Sequence, residues 1–341
     1  MANQRFQNAL KRVPQAIPPV WFMRQAGRYH KHYQALRAKH SFMELCKVPE
    51  LAAEVAMGPI EEFDFDLAIL FSDLLFPLEA MGMGLEYNPA PTLAWQLNDE
   101  TISRLRSPGE AIGALRFQKL AMAATRARLP KDKSLIGFVG GPWTLFAYAV
   151  EGSHKGELSQ AKKLIHLFKP FCDIVVPLLE QNIRIQLEGG AEVVMVLDTA
   201  AGELSPAMLT ETIDSTLVKL ARAFPAQLGY YAKGIQPSHL VHSLFRERGL
   251  LGGLGLDHRW DMSSALKTQT LGFLQGNFDQ SLLFLSASDF EKRARTYLES
   301  VRKLSVEERA GWVSGLGHGV LQHTPEANVK RMVQLIREVM A

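Results

Sequence analysis

Residues 135–152, LIGFVGGPWTLFAYAVEG, change structural period within one short stretch. LIGFV (135–139) is a brief apolar run with β-branched and aromatic members, the pattern of a buried strand. Gly140-Gly141-Pro142 breaks it, and Trp143, Thr144 and Tyr148 follow at the head of a helical segment. The same alternation recurs along the chain. PVWFM (19–23), LAILF (67–71), EVVMVL (192–197), LGYYA (228–232), GLGL (253–256), GFLQ (272–275) and WVSGL (312–316) read as further strands. PELAAEVAMGPIEEF (49–63) and SQAKKLIHLFKPFCDIVVPLLEQNIRIQLEGG (159–190) repeat apolar residues at i, i+3, i+4 and i+7, as amphipathic helices do. Gly189-Gly190 closes the second as a C-cap signal. Eight strands alternating with helices predict an α/β fold with a parallel sheet, and eight is the number that closes a (β/α)8 TIM barrel. A doubly wound open sheet calls for a glycine-rich phosphate turn after its first strand. Here RQAGRY stands there, and neither GxGxxG nor GKS/T occurs in the chain. No linker or low-complexity segment interrupts residues 1–341, so a single domain is expected, with residues 1–17 as a short basic N-terminal extension.

Of 341 residues 47% are apolar, ample for a globular core, and no apolar run approaches the ~18 residues that span a bilayer. Residues 1–12 lack the apolar centre of a signal peptide, which points to a cytoplasmic protein with no membrane partner. Cys46 and Cys172 stand in apolar helical contexts without a metal-ligand neighbour at motif spacing, and are expected to be buried free thiols. The net charge of +3 is uneven. Residues 1–43 hold eight basic residues and no acid before Glu44, which leaves the remainder at −5. The segment reads either as a basic arm of targeting type or as an anion-binding region. No basic-aromatic stripe suggests nucleic acid, so a small polyanion is the partner this pattern favours.

In a parallel barrel the residues behind each strand converge at one end. They are Arg24 and Arg28 after the first strand, Ser72-Asp73 after the second, Gly140-Gly141-Pro142-Trp143-Thr144 and then Tyr148 after the third, and Asp198-Thr199 after the fourth. Asp257 follows the sixth, Gly276-Asn277 the seventh and Gly317-His318-Gly319 the eighth. Each has a structural reading too. Asp73 suits a helix cap, as do Asp198 and Thr199 for the fourth helix. His318 suits a solvated loop, Tyr148 a core position, and EEFDFD (61–66) a solvated helix end. Thr324-Pro325-Glu326 reads as a plain helix start with Thr as cap and Pro at N1. Arg24-Gln25-Ala26-Gly27-Arg28 is hardest to explain structurally. As a helix it stacks two cations at i, i+4, and as a loop Gly27 lets the chain turn and gathers both guanidinium groups. Without a zinc motif, a nucleophile elbow or a cofactor motif, chemistry here falls to positioning, electrostatics and proton transfer.

VWFMRQAGRY (20–29), ELCKVPELAAEV (44–55), AILFSDLL (68–75), IGFVGGPWTLFAYAVEG (136–152), LQGNFD (274–279) and GLGHGV (315–320), in this order, resemble the signatures of uroporphyrinogen decarboxylases across roughly residues 18–337. The resemblance implies a (β/α)8 barrel, a homodimer, no metal and no organic cofactor. It also implies decarboxylation of the four acetate side chains of uroporphyrinogen III to coproporphyrinogen III in tetrapyrrole (haem) biosynthesis. It makes Asp73 the carboxylate that meets the pyrrole NH groups, and Arg24 and Arg28 the arginines facing substrate carboxylates. These three form the implied catalytic set. Arg24, Gln25, Ala26, Gly27, Arg28, Asp73, Tyr148, Thr199 and His318 are the implied substrate-binding residues.

The residue types suit that chemistry. Forked guanidinium groups bind carboxylates bidentately, and one ionised carboxylate at the macrocycle's centre stabilises a protonated ring wherever it forms. The proton donor is open among an arginine, a relayed water and a substrate carboxyl. The chain departs from the family at Ala200, His258, KGIQPSH (233–239), VEGSHKGE (150–157) and after GMGLEY (82–87), all around the expected mouth. Two alternatives share the scaffold: a zinc-dependent corrinoid methyltransferase and a non-catalytic tetrapyrrole-binding relative.

Overall fold

The computed structural model describes residues 2–87, 90–153, 155–240, 249–268 and 272–341. Among these residues seven parallel strands alternate with helices in a TIM-barrel-like α/β fold. They are β1 (Leu67–Ile69), β4 (Ser134–Gly140), β5 (Val193–Leu197), β6 (Leu228–Tyr231), β7 (Gly253–Gly255), β8 (Phe273–Phe278) and β9 (Trp312–Leu316). A small antiparallel hairpin, β2 (Glu86–Tyr87) and β3 (Pro91–Thr92), was not foreseen. Seven of the eight expected strands form where their apolar runs stand.

The exception is PVWFM, which makes only an isolated parallel bridge, Val20 to Ser314. Ser314 N–H donates to Pro19 O (2.9 Å) and Trp21 N–H donates to Ser314 O (3.0 Å), so residues 19–21 run beside β9. On the other side Val20 N–H donates to the Asp66 carboxylate (2.9 Å), just before β1. Asp66 N–H in turn donates to Val20 O (3.1 Å), so on this side one backbone bond and one side-chain bond stand where a backbone ladder would run. Asp66 is 2% exposed and also accepts from Asn3 Nδ2 (3.2 Å). Asp64 is bound by Lys133 and Arg337. Glu61, Glu62 and Asp64 are exposed as a solvated helix end would be, while the ties of Asp64 and the burial of Asp66 make the end of EEFDFD an anchor as well.

The chain forms two compact units. The first comprises Met1–Phe71, Ala124–Ile136 and Gly252–Ala341. Within it β1 pairs with the start of β4 (Leu67 opposite Ser134), and β7, β8 and β9 pair in parallel (Gly253 opposite Phe273, Leu274 opposite Trp312). Helices Pro49–Phe63, Ala287–Arg302 and Glu326–Met340 belong to this unit. The last begins with Pro325 as its N-cap, and the Thr324 hydroxyl turns back to Leu321 O instead of capping. The N-terminal extension is integral to the unit. Helix Gln4–Leu10 buries Phe6, whose ring lies 5.7 Å from that of Phe273, and burying such a side chain stabilises by about 1.5–3 kcal/mol.

The second unit comprises Ser72–Ala123 and Gly137–Leu251. Here β5 and β6 pair in parallel (Val194 opposite Leu228, Leu197 opposite Tyr231). Helix Pro142–Glu151 follows β4 directly, and helix Phe168–Glu188 precedes β5. The expected long helix is interrupted before Phe168, and its end is made as the glycines indicated, with Gly190 in the left-handed region. Gln186 shows why the packing is specific. Its side-chain oxygen accepts from Phe138 N–H (2.9 Å) and its nitrogen donates to Phe138 O (3.0 Å), so a buried amide completes the backbone of β4. Both cysteines are buried free thiols.

Candidate active site

The candidate residues divide between the two units. In the first, residues 23–29 form a loop behind residues 19–21, so the helical reading of RQAGR does not apply. Its turn is made by Arg24, whose φ of 53° lies in the left-handed region that a non-glycine residue enters at a cost of about 1 kcal/mol. Gly27, expected to supply that freedom, is not left-handed, and a Cβ there would meet its neighbours at ordinary distances of 3.6 and 3.9 Å. Gln25 fixes the loop. It is 1% exposed, and its side-chain nitrogen donates to Leu67 O at 2.9 Å. The Tyr29 hydroxyl then donates to Gln25 O (2.6 Å) and His30 N–H to Gly27 O (2.9 Å). With Gln25 turned inward, Arg24 and Arg28 are left exposed, while Ala26 and Gly27 are half-buried.

The loop behind β9 is tied to this one. Val320 N–H donates to Met23 O (2.9 Å), and the Arg24 stem lies so close to Gly319 that a Cβ there would come 2.6 Å from its Cδ. Arg24 is thereby set against the residue next to His318, which is half-buried rather than a solvated loop histidine. Among the described residues neither guanidinium has an ion-pair or hydrogen-bond partner. Forked guanidinium groups of this kind are able to bind carboxylates bidentately.

In the second unit Asp73 is half-buried and opens a turn, its Oδ1 accepting Leu75 N–H at 2.9 Å just before helix Phe76–Leu78. Asp73 therefore closes a turn ahead of the helix and does not cap it, since Leu75 is the N-cap and no side chain caps that end. The neighbouring Ser72 hydroxyl accepts from Gln118, and Gln118 in turn accepts from Gln186 (2.9 and 3.1 Å). A relay of buried amides sets the start of this turn against β4.

Tyr148 and Thr199 are both half-buried. Between their elements lies a group that sequence reading undervalued. Asp198, at the end of β5, is fully buried, and its Oδ1 accepts from both the backbone N–H and the hydroxyl of Thr144 at 2.7 Å. It caps the helix that follows β4, not the one that follows its own strand. The Thr144 hydroxyl oxygen accepts Ala200 N–H at 3.0 Å. Burial pushes the Asp198 carboxyl up to about 6, against the opposing effect of its Thr144 hydrogen bonds.

The family model described as Uroporphyrinogen decarboxylase (URO-D) matches residues 1–339. The chain belongs to the uroporphyrinogen decarboxylase family. Proteins named uroporphyrinogen decarboxylase from Solibacter usitatus and a Synechococcus strain are 32% and 35% identical to it. The first alignment covers 98% of this chain and 97% of the relative, and the second 94% and 93%. A solved structure described as a methyltransferase from Methanosarcina mazei superposes with a TM-score of 0.80 at 20% identity, covering 99% of both chains; that likeness is one of fold.

Against this decarboxylase frame the divergent positions vary in setting. His258 is exposed and Ala200 is buried, while His154 and residues 88–89 lie outside the described residues. Sequence reading missed Gln118 and Gln186, placed Thr144 behind the third strand without a holding role, and took Asp66 for part of a solvated helix end; all four hold other groups. A threonine two positions after the proline that opens a helix was the one local signal among them.

Proposed function

We propose that this protein decarboxylates the acetate side chains of uroporphyrinogen III in turn, yielding coproporphyrinogen III and four CO2, without a cofactor. In each round a proton adds to a pyrrole ring carbon, giving a cationic ring. The bond from the acetate methylene to its carboxylate then breaks, its electron pair flows toward the ring, and CO2 leaves. A proton on the methylene carbon completes the methyl group, and loss of the ring proton restores the pyrrole. Asp73 stabilises the cationic ring as a carboxylate close to the pyrrole NH groups. Arg24 and Arg28 hold substrate carboxylates, and Tyr148, Thr199 and His318, with the Gln25-Ala26-Gly27 backbone, line the bound macrocycle. The unpaired arginine pair in a chain of this family is the observation that carries the reading. A homodimer in the cytoplasm completes it.

Anaerobic incubation with uroporphyrinogen III in chelator-treated buffer, with chromatography of hepta- to tetracarboxylate products, tests the activity. Absence of any product ends the proposal. Asp73→Asn keeps the shape and the acceptor for Leu75 N–H but removes the charge, so turnover is expected to fall at least about 100-fold with little change in unfolding midpoint. Near-normal turnover in that variant would remove Asp73 from its role.

A further inference from the structure

We propose that Thr144 and Asp198 are positioning residues for substrate binding, acting as a buried clasp that sets the helix carrying Tyr148 against the loop carrying Thr199. The inference rests on the substrate-binding roles given above to those two residues. The clasp lies within one compact unit. Helix Pro142–Glu151 presents Thr144 in its first turn and Tyr148 one turn later on the same face. The loop after β5 presents Asp198, Thr199 and Ala200 in succession.

One hydroxyl joins them in both directions. Thr144 Oγ1 donates to Asp198 Oδ1 (2.7 Å) and accepts from Ala200 N–H (3.0 Å), so the residues on either side of Thr199 are both bound to the helix. Thr144 N–H adds a second bond to the same carboxylate oxygen. The loop itself is anchored behind Asp198, whose own N–H donates to Tyr231 O of β6 (2.7 Å). Gly141 leaves the room this approach needs, because a Cβ there would overlap the Asp198 side chain. Thr144 and Asp198 are both 0% exposed, so water cannot replace either partner. Neither touches solvent. Their effect is exerted through the placement of the half-buried Tyr148 and Thr199.

The test compares Thr144→Val, which keeps the volume and removes the hydroxyl, with Thr144→Ser, which keeps the hydroxyl. Valine is expected to lower kcat/KM for uroporphyrinogen about tenfold, chiefly through KM, and serine to restore it to within about threefold of wild type. Amide exchange at Ala200 is expected to accelerate about tenfold in the valine variant alone. Equal losses in both variants would assign the effect to packing, and wild-type KM and exchange in the valine variant would overturn the clasp outright. If the valine protein fails to fold, Thr144→Cys, of similar volume and with only a weak hydrogen-bonding group, replaces it with the same outcomes. A wild type inert toward uroporphyrinogen would sink the functional reading, while exchange at Ala200 would still decide whether the clasp exists.

Discussion

Gly319→Ala reaches the arginine loop without altering either arginine. An added Cβ would stand 2.6, 2.8 and 3.1 Å from Cδ, Cγ and Cβ of Arg24, all inside the separation that carbon atoms normally keep. The closest approach to Cδ alone could be relieved by rotating the far end of the side chain. The contact with Cβ cannot, because that atom is fixed by a backbone already held in the left-handed region at φ 53°. The guanidinium must therefore move off its position, while Gly319 itself, outside the left-handed region, accepts a methyl group without backbone strain. A charge-assisted hydrogen bond to a substrate carboxylate contributes about 1.5–3 kcal/mol. Losing one corresponds to about a 10- to 150-fold fall in kcat/KM, and partial readjustment of the long side chain places the expectation near tenfold. Steady-state kinetics of Gly319→Ala, Arg24→Ala and the double variant measure it. The methyl group acts through Arg24, so it has little left to remove once that side chain is gone, and the double variant is expected to match Arg24→Ala alone. Wild-type kinetics in Gly319→Ala, or full additivity of the two changes, would refute the placement of Arg24 against this loop.

Asp66→Ala strands a buried Val20 N–H and is expected to cost about 2–3 kcal/mol in urea unfolding. The half-exposed Arg5 adds little to that sum. Asp66→Asn, which keeps an acceptor, is expected to lose less, and an alanine variant as stable as wild type would contradict the anchoring of residues 19–21. Asp198 governs a pH effect on stability. The folded state keeps its proton to about pH 6, whereas the unfolded chain releases it near 3.8, so stability falls as pH rises between those values, by about 3 kcal/mol. Asp198→Asn removes this dependence, and the stability of the variant minus that of wild type is expected to rise from pH 4 to 6 and then level off. A difference that stays constant across that window would show that the carboxyl is not raised.

Strand positions were legible because a strand that will be buried on both faces must be a short apolar run, and LIGFV, EVVMVL and WVSGL each became one. Helix ends at Pro49 and Gly189-Gly190 were legible for the same local reason, since proline and glycine act on their own backbone. PVWFM stops at a single bridge because, opposite its backbone bonds to Ser314, the Val20 N–H is taken by the Asp66 side chain. Among candidate site residues, the arginine pair stood out through the lack of any nearby acid, and it remains unpaired among the described residues.

By itself, the sequence determined the alternation of strands and helices, the uncompensated arginine pair and, through motifs in register, the family. Tertiary structure decided which groups are braces. Val20 and Asp66 are 46 positions apart, Thr144 and Asp198 54, and Gln118 and Gln186 68. No local pattern announces such pairs, because a buried polar group is satisfied by whatever partner the fold brings within 3 Å. The same holds for the turn at RQAGR. Gly27 was the residue free to adopt a left-handed conformation, yet Arg24 adopts it. Its surroundings (Gln25 bound to Leu67 and Met23 bound to Val320) outweigh the roughly 1 kcal/mol that an intrinsic preference contributes.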